Sequence, residues 1–320
     1  MARLTTVLYP HLGGRDCLLF RIGGPGLGNL LFPWARALLA SKTYGYKRIF
    51  PTWPQIKVGP FLRQERDLRC YSTLFAPIDD EISGIAKAHL LVVGRFAPED
   101  ALRSEDRSRD GRGWRVVVFR GMLRMFEPLR GQAAIIRQAI IQAVEARSSA
   151  TTLQAQSRGP EIGIHVRLGD FRRPSETALR DRETNVRIPL SWYRNVLRNL
   201  RSACGQSVRA RVCSDGSDDE LQELLSEPDV YRSDASDAVR DLLGLAECMA
   251  IVSSRSTFSA WAAYLGAVPT VCYPGTPTGL FPSLEDCVTE EVDEGGSLSR
   301  QFASFVRARH GEFAEMGVTQ

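Results

Sequence analysis

One ten-residue stretch, residues 162–171, restricts the fold of this chain more than any other. It reads I-G-I-H-V-R-L-G-D-F, an apolar run followed at once by polar residues and a glycine. A short apolar run that ends in a turn is typical of a buried strand. In an extended strand His165 and Arg167 leave the same face, because they lie two residues apart. We therefore predict a buried strand that delivers polar side chains to its carboxyl end.

The rest of the sequence alternates between short apolar runs and helical patterns of apolar residues. Residues 148–160 interrupt this alternation with small and polar residues that have no periodicity, as in a linker. We predict strands at residues 17–22, 90–93, 116–119, 162–166, 208–212, 230, 250–252 and 269–273. We predict helices at residues 29–42, 128–147, 191–203, 218–226, 237–249, 258–265 and 297–314. Two alternating halves joined by a linker indicate an α/β protein with two Rossmann-like domains.

Composition excludes several classes of protein. The 320 residues are 43% apolar and 24% charged, which suits one or two ordinary globular domains. The net charge is only +4, and the densest arginine run, residues 103–115, is interleaved with acids, so we expect a solvated loop and no nucleic-acid partner. Seven cysteines without a C-x-x-C pattern and four separated histidines predict reduced thiols and no zinc site. No apolar stretch is long enough to span a bilayer. We expect a cytoplasmic protein, with peripheral membrane contact left open.

A glycine-rich loop follows the predicted strand at residues 17–22. It reads G-G-P-G-L-G-N over residues 23–29, and such loops let a pyrophosphate approach backbone N–H groups at the start of a helix. The dinucleotide fingerprint G-x-G-x-x-G fails, because Asn29 occupies the third glycine position and no acidic residue follows about 20 residues later. A nicotinamide cofactor is therefore disfavoured. A structural turn and a loop that lines a ligand site both remain open for Gly26 and Gly28.

Two other segments suit a phosphate. The guanidinium of Arg167 matches phosphate oxygens, and the carboxyl end of an α/β strand is where nucleotides bind; the alternative is a surface ion pair with Asp170. Ser256, Thr257 and Phe258 lie between a predicted strand and a predicted helix, where hydroxyls and free N–H groups can receive an anion. The alternative for the hydroxyls is plain N-capping.

Five blocks of this sequence resemble, in order, the motifs of one fucosyltransferase superfamily. Residues 162–171 are similar to its H-V-R-R-G-D-Y block, and residues 26–35 to G-L-G-N-Q-[ML]-F-Q-Y-A. The others are residues 188–193 (L-P-x-x-Y-Y), 212–215 (V-F-S-D) and 241–265 (D-L-x-L-M-S-x-C, then N-S-[ST]-F-S-W-W-G-A-[WY]-L). The superfamily holds the α-1,2-, α-1,6- and protein O-fucosyltransferases. The likeness is greatest to the bacterial α-1,2-fucosyltransferases.

This resemblance implies a GT-B-like fold, with two Rossmann-like domains that face an interdomain cleft. The first, residues 1–155, would hold the acceptor side and the glycine loop. The second, residues 156–320, would bind the GDP-sugar, and its terminal helix could pack back on the N-terminal half. The implied reaction is inverting transfer of L-fucose from GDP-fucose to a glycan hydroxyl, in α-1,2 linkage, without a metal or other cofactor.

The resemblance also assigns roles to single residues. His165 and Arg167 would contact the donor, and Arg167 would neutralise the charge that develops on the β-phosphate. Ser256 and Thr257 would bind the diphosphate with Phe258 packed nearby. Gly26 and Gly28 would line the cleft, and Asn29 would face the sugar. Two residues depart from the family pattern: Leu30 replaces its glutamine and Leu168 its second arginine.

Two acidic residues are candidates for the nucleoside. A carboxylate can accept hydrogen bonds from the N1–H and N2–H₂ edge of guanine, which adenine does not offer. Asp241 is the candidate for the base, and its alternative role is an acid stabilised at a helix N-terminus. Asp215 would lie near the ribose or cap the next helix.

The general base is not singled out by the sequence. Inversion requires a group that takes the proton of the acceptor hydroxyl, and Asp170, Glu176 and Asp181 all qualify. We name Asp170. Two alternatives to fucosyl transfer stay open: transfer of another GDP-deoxysugar, and a protein that binds a GDP-sugar without turnover.

Overall fold

The computed structural model describes residues 5–62, 69–102, 113–147, 159–173, 175, 183, 185–235, 237–276, 279–281 and 288–318. The chain divides into two compact units, one of residues 1–58 with 69–153 and the other of residues 59–68 with 154–320. The predicted boundary between residues 155 and 156 lies outside the described residues, and so does most of the predicted linker.

The first unit contains a four-stranded parallel sheet. Its strands are β1 (Thr5–His11), β4 (Lys47–Arg48), β6 (Arg95–Pro98) and β7 (Trp114–Arg120), in the order β4-β1-β7-β6. A small second sheet holds β2 (Arg15–Asp16), β3 (Arg21–Ile22) and β5 (Gln55–Ile56). Its helices are α1 (Leu27–Tyr44), α3 (Gly84–Val93) and α4 (Ala133–Glu145), and the short helix α2 (Val58–Leu62) lies where the chain passes from the first unit to the second.

Alternate residues of β1 face two different cores. Val7 and Tyr9 pack in one apolar cluster, whereas Leu8 packs in another with Val117 of β7. A strand that is buried on both faces reads as a continuous apolar run, as expected of a parallel sheet.

Two predicted strands of the first unit are wrong. The segment 17–22 forms only the two-residue β3, and a turn precedes it in which Leu18 has a φ of 71° and its N–H donates to Asp16. The segment 90–93 is the end of α3, where Leu90 is buried while Val92 is exposed. Short apolar runs do not separate strand from helix by pattern alone. The central strand β1 was not predicted.

The second unit contains a six-stranded parallel sheet. Its strands are β8 (Glu161–Val166), β9 (Arg209–Ser214), β10 (Val230–Arg232), β11 (Ala250–Ser253), β12 (Thr270–Cys272) and β13 (Thr289–Glu291). Its helices are α5 (Leu190–Cys204), α6 (Asp218–Leu225), α7 (Ala238–Ala246), α8 (Thr257–Gly266) and α9 (Arg300–Val318). The strands and helices predicted after residue 160 are confirmed with shifts at their ends, and β13 was not predicted. The terminal helix α9 places Phe302 and Val306 in the core of this unit.

The order of these strands creates a switch point. The sheet runs β10-β9-β8-β11-β12-β13, so the chain builds outward from β8 in one direction and then returns to continue on its other side. In such sheets, ligands bind outside the carboxyl ends of the strands where the direction reverses. Here that place lies between β8 and β11, whose register pairs Val252 with Ile164. The predicted class, α/β with two Rossmann-like units, is confirmed by the two parallel sheets.

Candidate active site

His165 joins the two strands that flank the switch point. It lies near the end of β8, it is only 6% exposed, and its Nδ1 lies 2.8 Å from the hydroxyl of Ser254, which follows β11. Its ring centroid lies 4.9 Å from that of Phe258. Burial, assisted by the neighbouring positive charge of Arg167, lowers the pKa of His165 to about 3. The imidazole is therefore neutral at physiological pH and can orient the site, but it contributes no positive charge.

Arg167 lies just past the end of β8 and contacts two carboxylates. Its Nη1 lies 2.7 Å from Asp215 Oδ2, and its Nη2 donates to Asp170. The second oxygen of Asp215 accepts the N–H of Leu168 at 2.8 Å. The predicted alternative, a pair with Asp170, is thus present in the structure together with a second partner. Arg167 and Asp215 fix the turn that follows β8.

Asp215 does not cap the next helix, so that predicted alternative is wrong. Ser217 caps α6 instead, and it does so reciprocally with Glu220 in a capping box. Arg187 supports the same turn from another direction, because its Nε donates to the carbonyl of Leu168 at 3.0 Å and its Nη1 to Glu220 at 2.9 Å.

The loop between β11 and α8 presents hydroxyls at the start of a helix. Ser256 is the N-cap of α8, and its Oγ accepts the N–H of Phe258 at 3.2 Å, so N-capping by Ser256 is confirmed. Thr257 is the first residue of the helix. Ser253 and Ser259 hold the loop from behind, with 2.8 Å between their hydroxyl oxygens. The diphosphate contacts assigned to Ser256, Thr257 and Phe258 stay predictions.

Asp241 lies in the first turn of α7, and the N-cap of that helix is Asp237. Its Oδ1 lies 3.3 Å from the thiol sulfur of Cys213, which pairs in register with His165 on the neighbouring strand. Burial raises the pKa of the Cys213 thiol well above 9, and the negative charge of Asp241 acts in the same direction. Asp241 therefore occupies the carboxyl side of the sheet, and its contact with guanine stays a prediction.

Two residues near the switch point were not found from the sequence. Arg255, directly before the cap, has a φ of 55°, a backbone conformation uncommon for a bulky side chain. Tyr193 is fully buried, and its hydroxyl has no hydrogen-bond partner among the described residues. Burial raises the pKa of Tyr193, and the charges of Arg255 and Asp215 also act on it. Tyr193 lies in the block of residues 188–193 that carries part of the family resemblance, and that block is the sequence signal by which it could have been found.

The glycine loop belongs to the first unit. Gly26 occupies the N-cap position of α1, and its carbonyl accepts the N–H of Asn29 at 3.0 Å. The N–H of Leu27 donates to the hydroxyl of Tyr71 at 3.0 Å, and Gly28 is buried in the first turn. The structure therefore brings Gly26, Gly28 and Asn29 together at one helix start. Their roles toward a donor stay predictions.

Asp170 is the described candidate for a general base. Its carboxylate accepts from Arg167, and 40% of its side chain is exposed. The other two candidates, Glu176 and Asp181, lie outside the described residues.

A buried polar network in the first unit was also missed. The hydroxyl of Tyr9 donates to Asp16, the hydroxyl of Thr52 donates to the same carboxylate at 2.9 Å, and Lys87 Nζ lies 2.6 Å from the hydroxyl of Thr52. Burial lowers the pKa of Lys87 to about 8. These residues come from four separate segments, and their meeting has no local sequence signal.

Comparison with known families identifies the part of the chain that holds the switch-point site. Residues 135–273 match the model of glycosyl transferase family 11. Over this segment the chain is similar to the members of that family. The segment includes β8, the turn with Arg167 and the loop between β11 and α8, so the predicted resemblance and the predicted glycosyltransferase class are confirmed there. A comparison with curated proteins finds no match.

Several solved structures are similar to this chain. The NodZ α-1,6-fucosyltransferase of Bradyrhizobium, soaked with GDP-fucose, is 16% identical, with a TM-score of 0.46 over 87% of this chain and 97% of that one. The E. coli heptosyltransferase WaaC with ADP is 13% identical, with a TM-score of 0.42 over 97% and 100%. POFUT1 in complex with GDP-fucose is 11% identical, with a TM-score of 0.41 over 91% and 98%.

No helix in the described part of the chain is long and apolar enough to cross a membrane. No three His, Cys, Asp or Glu side chains in the described ranges come together as a metal site.

Proposed function

We propose that this protein is an inverting glycosyltransferase that moves L-fucose from GDP-fucose to a hydroxyl of a glycan, in α-1,2 linkage. The observation that carries the proposal is the position of Arg167. Its guanidinium lies at the carboxyl end of β8, at the switch point, within the segment that matches the model of glycosyl transferase family 11. A nucleotide diphosphate is the ligand that this position in a parallel sheet suits best.

The reaction forms one bond and breaks another at the anomeric carbon of the sugar. The oxygen of the acceptor hydroxyl bonds to that carbon from the face opposite the diphosphate, the bond to the β-phosphate oxygen breaks, and GDP leaves with the bonding electrons. Negative charge therefore develops on the β-phosphate. Arg167, the hydroxyls of Ser256 and Thr257 and the free N–H groups at the start of α8 can stabilise it.

The remaining roles are those that the family resemblance implies. Asp241, on the carboxyl side of the sheet, accepts from the guanine edge. Asp170 takes the proton of the acceptor hydroxyl, and Asn29 of the glycine loop faces the sugar. Transfer of another GDP-deoxysugar, or binding of a GDP-sugar without turnover, is the alternative function.

The absence of a metal is part of the proposal. The sequence has no D-x-D motif for a metal–diphosphate clamp, and the guanidinium and hydroxyls at the switch point can take over that role. Fucosyl transfer is then expected to survive EDTA. Loss of transfer on chelation, restored by Mg²⁺ or Mn²⁺, would contradict this part.

A panel of nucleotides tests the donor. We expect GDP and GDP-fucose to raise the melting temperature of the protein, with ADP, UDP and NAD as matched controls that do not. A ligand at 100 times its dissociation constant stabilises the folded state by about 2.7 kcal/mol, which such a measurement resolves. A shift with UDP-sugars and none with GDP would overturn the donor assignment. Binding without release of GDP in the presence of glycan acceptors would favour the inactive alternative.

A further inference from the structure

We propose that Arg255 supplies a second positive charge to the diphosphate of the nucleotide-sugar. This inference rests on the proposed function. It starts from the charges around Arg167, whose guanidinium contacts the carboxylates of both Asp170 and Asp215. His165 adds no charge, because its pKa is about 3. These two carboxylates weaken the attraction of the Arg167 guanidinium for a diphosphate, so a second cation at the same end of the sheet would strengthen binding.

Leu168 cannot supply that charge. It occupies the position where the related block H-V-R-R-G-D-Y has a second arginine. The Leu168 side chain is only 5% exposed and packs in the apolar core of the second unit. Because position 168 holds a buried apolar side chain, the second cation must come from a different element of the site.

Arg255 lies on the opposite side of the switch point, directly before the N-cap of α8. Its Nη1 lies 3.3 Å from the carbonyl oxygen of Glu183, and its guanidinium carbon lies 4.9 Å from the ring centroid of Tyr273. A guanidinium over an aromatic face is oriented but keeps its charge. The same residue is only partly exposed, so a phosphate beside it would meet a weakly screened cation.

Arg255 and the turn that holds Arg167 lie at the same end of the sheet. Arg167 follows β8 and Arg255 follows β11, and these two strands are neighbours that run parallel. The 2.8 Å contact between His165 and Ser254 joins the two strand ends. Both arginines therefore lie at the edge of the sheet where the diphosphate would bind.

The backbone of Arg255 supports a role that depends on its side chain. A φ of 55° costs free energy for an arginine, whereas asparagine and glycine tolerate it. The related family block reads N-S-[ST]-F, with asparagine at this position. In this chain Arg255 stands at the position of that asparagine and Leu168 at the position of the second arginine, so the second positive charge lies at the end of β11 and not of β8. Strained residues of this kind cluster at functional sites.

The left-handed backbone at position 255 determines which substitutions test the charge of Arg255 without straining the loop. Arg255→Asn and Arg255→Gly both remove the charge and both keep the left-handed backbone accessible, whereas alanine would not. We expect each variant to bind GDP at least about tenfold more weakly than the unmodified protein, since a charged hydrogen bond to phosphate is lost. Guanosine, which has no phosphate, is expected to bind all three proteins equally. The matched control is Arg198→Ala, which removes an exposed arginine of α5 that pairs with Glu227.

Titration calorimetry measures the affinity of each protein for GDP and for guanosine, and these affinities distinguish failure of the proposed function from failure of the role of Arg255. If the unmodified protein does not bind GDP, the proposed function fails. If it binds GDP and both Arg255 variants bind GDP as tightly, the function stands and the role of Arg255 is overturned. Equal weakening of GDP and guanosine binding would also overturn it, because Arg255 would then act only by shaping the loop.

Discussion

At the scale of single residues, Arg167 combines two tasks that a lysine could not perform together. Its fork reaches Asp215 and Asp170 at once, and it also has to present positive charge to a leaving phosphate. We expect Arg167→Lys to be nearly as damaging as Arg167→Ala, with kcat lowered by about 10²–10³ in both, because the charge on the phosphate is greatest in the transition state.

Steady-state kinetics at saturating GDP-fucose, together with a melting curve for each variant, tests this expectation. The fold should persist, since Arg167 lies beyond the end of its strand and contributes little to the core. Turnover of Arg167→Ala near that of the unmodified protein, or a variant that does not fold, would make Arg167 a structural residue.

His165 predicts a dependence of stability on pH. Its pKa is about 3 in the folded protein and about 6.5 in the unfolded chain, so the unfolded chain binds more protons between these values. The contribution of His165 to stability is therefore complete above pH 6.5 and is lost as the pH falls toward 3, by up to about 1.4 kcal/mol per pH unit. Asparagine keeps a polar group near Ser254 and does not titrate.

Urea unfolding between pH 7 and pH 4 measures the free energy of unfolding of the unmodified protein and of His165→Asn. The free energy of unfolding of His165→Asn should fall less steeply with acid than that of the unmodified protein. Parallel curves over this range would show that His165 is not buried in its neutral form.

At the scale of elements, Gly266 sets how closely α7 and α8 approach. A Cβ at Gly266 would lie 1.8 Å from the carbonyl oxygen of Ala246, the last residue of α7. The two helix backbones would have to move apart to remove this overlap, which costs free energy. We therefore expect Gly266→Ala to lower the free energy of unfolding by roughly 3 kcal/mol or more. The control is Gly311→Ala in α9, where a Cβ meets nothing and alanine should add about 0.5–1 kcal/mol. Urea unfolding of both variants measures the difference, and equal stabilities would refute the close contact.

The helices and strands also show which parts of the fold can be predicted from the local sequence pattern. Helix α5 was predicted within one residue at each end, because its apolar residues follow a helical period and a proline precedes it. The run L-L-V-V at residues 90–93 was assigned to a strand because four apolar residues carry no period, and only packing decides that Leu90 is buried and Val92 is not. The strands before His165 and Ser254 were predicted, but the contact between these residues was not, because it depends on β8 and β11 being neighbours in the sheet. The orientation of Arg255 was not predicted either, because it depends on a left-handed backbone that arginine rarely adopts.

At the scale of the whole molecule, each unit has its own parallel sheet and core, and the switch point of the six-stranded sheet is where we place the donor. The first unit contains the glycine loop at the start of α1 and the buried network of Tyr9, Asp16, Thr52 and Lys87. Burial and hydrogen bonding give that network a structural role, since it links β1 and β2 to α3.

Amide hydrogen exchange of the full chain, with and without saturating GDP, tests most directly whether the nucleotide binds at the switch point. A bound ligand slows exchange at the amides that it covers or whose local opening it suppresses. We expect the strongest protection in peptides that contain residues 165–171 and 253–258. Exchange should be unchanged in peptides from the C-terminal part of α9 (Arg300–Val318). Saturation with GDP that leaves both of those segments exchanging as fast as in the free protein would contradict the placement of the donor and the role of Arg167 with it.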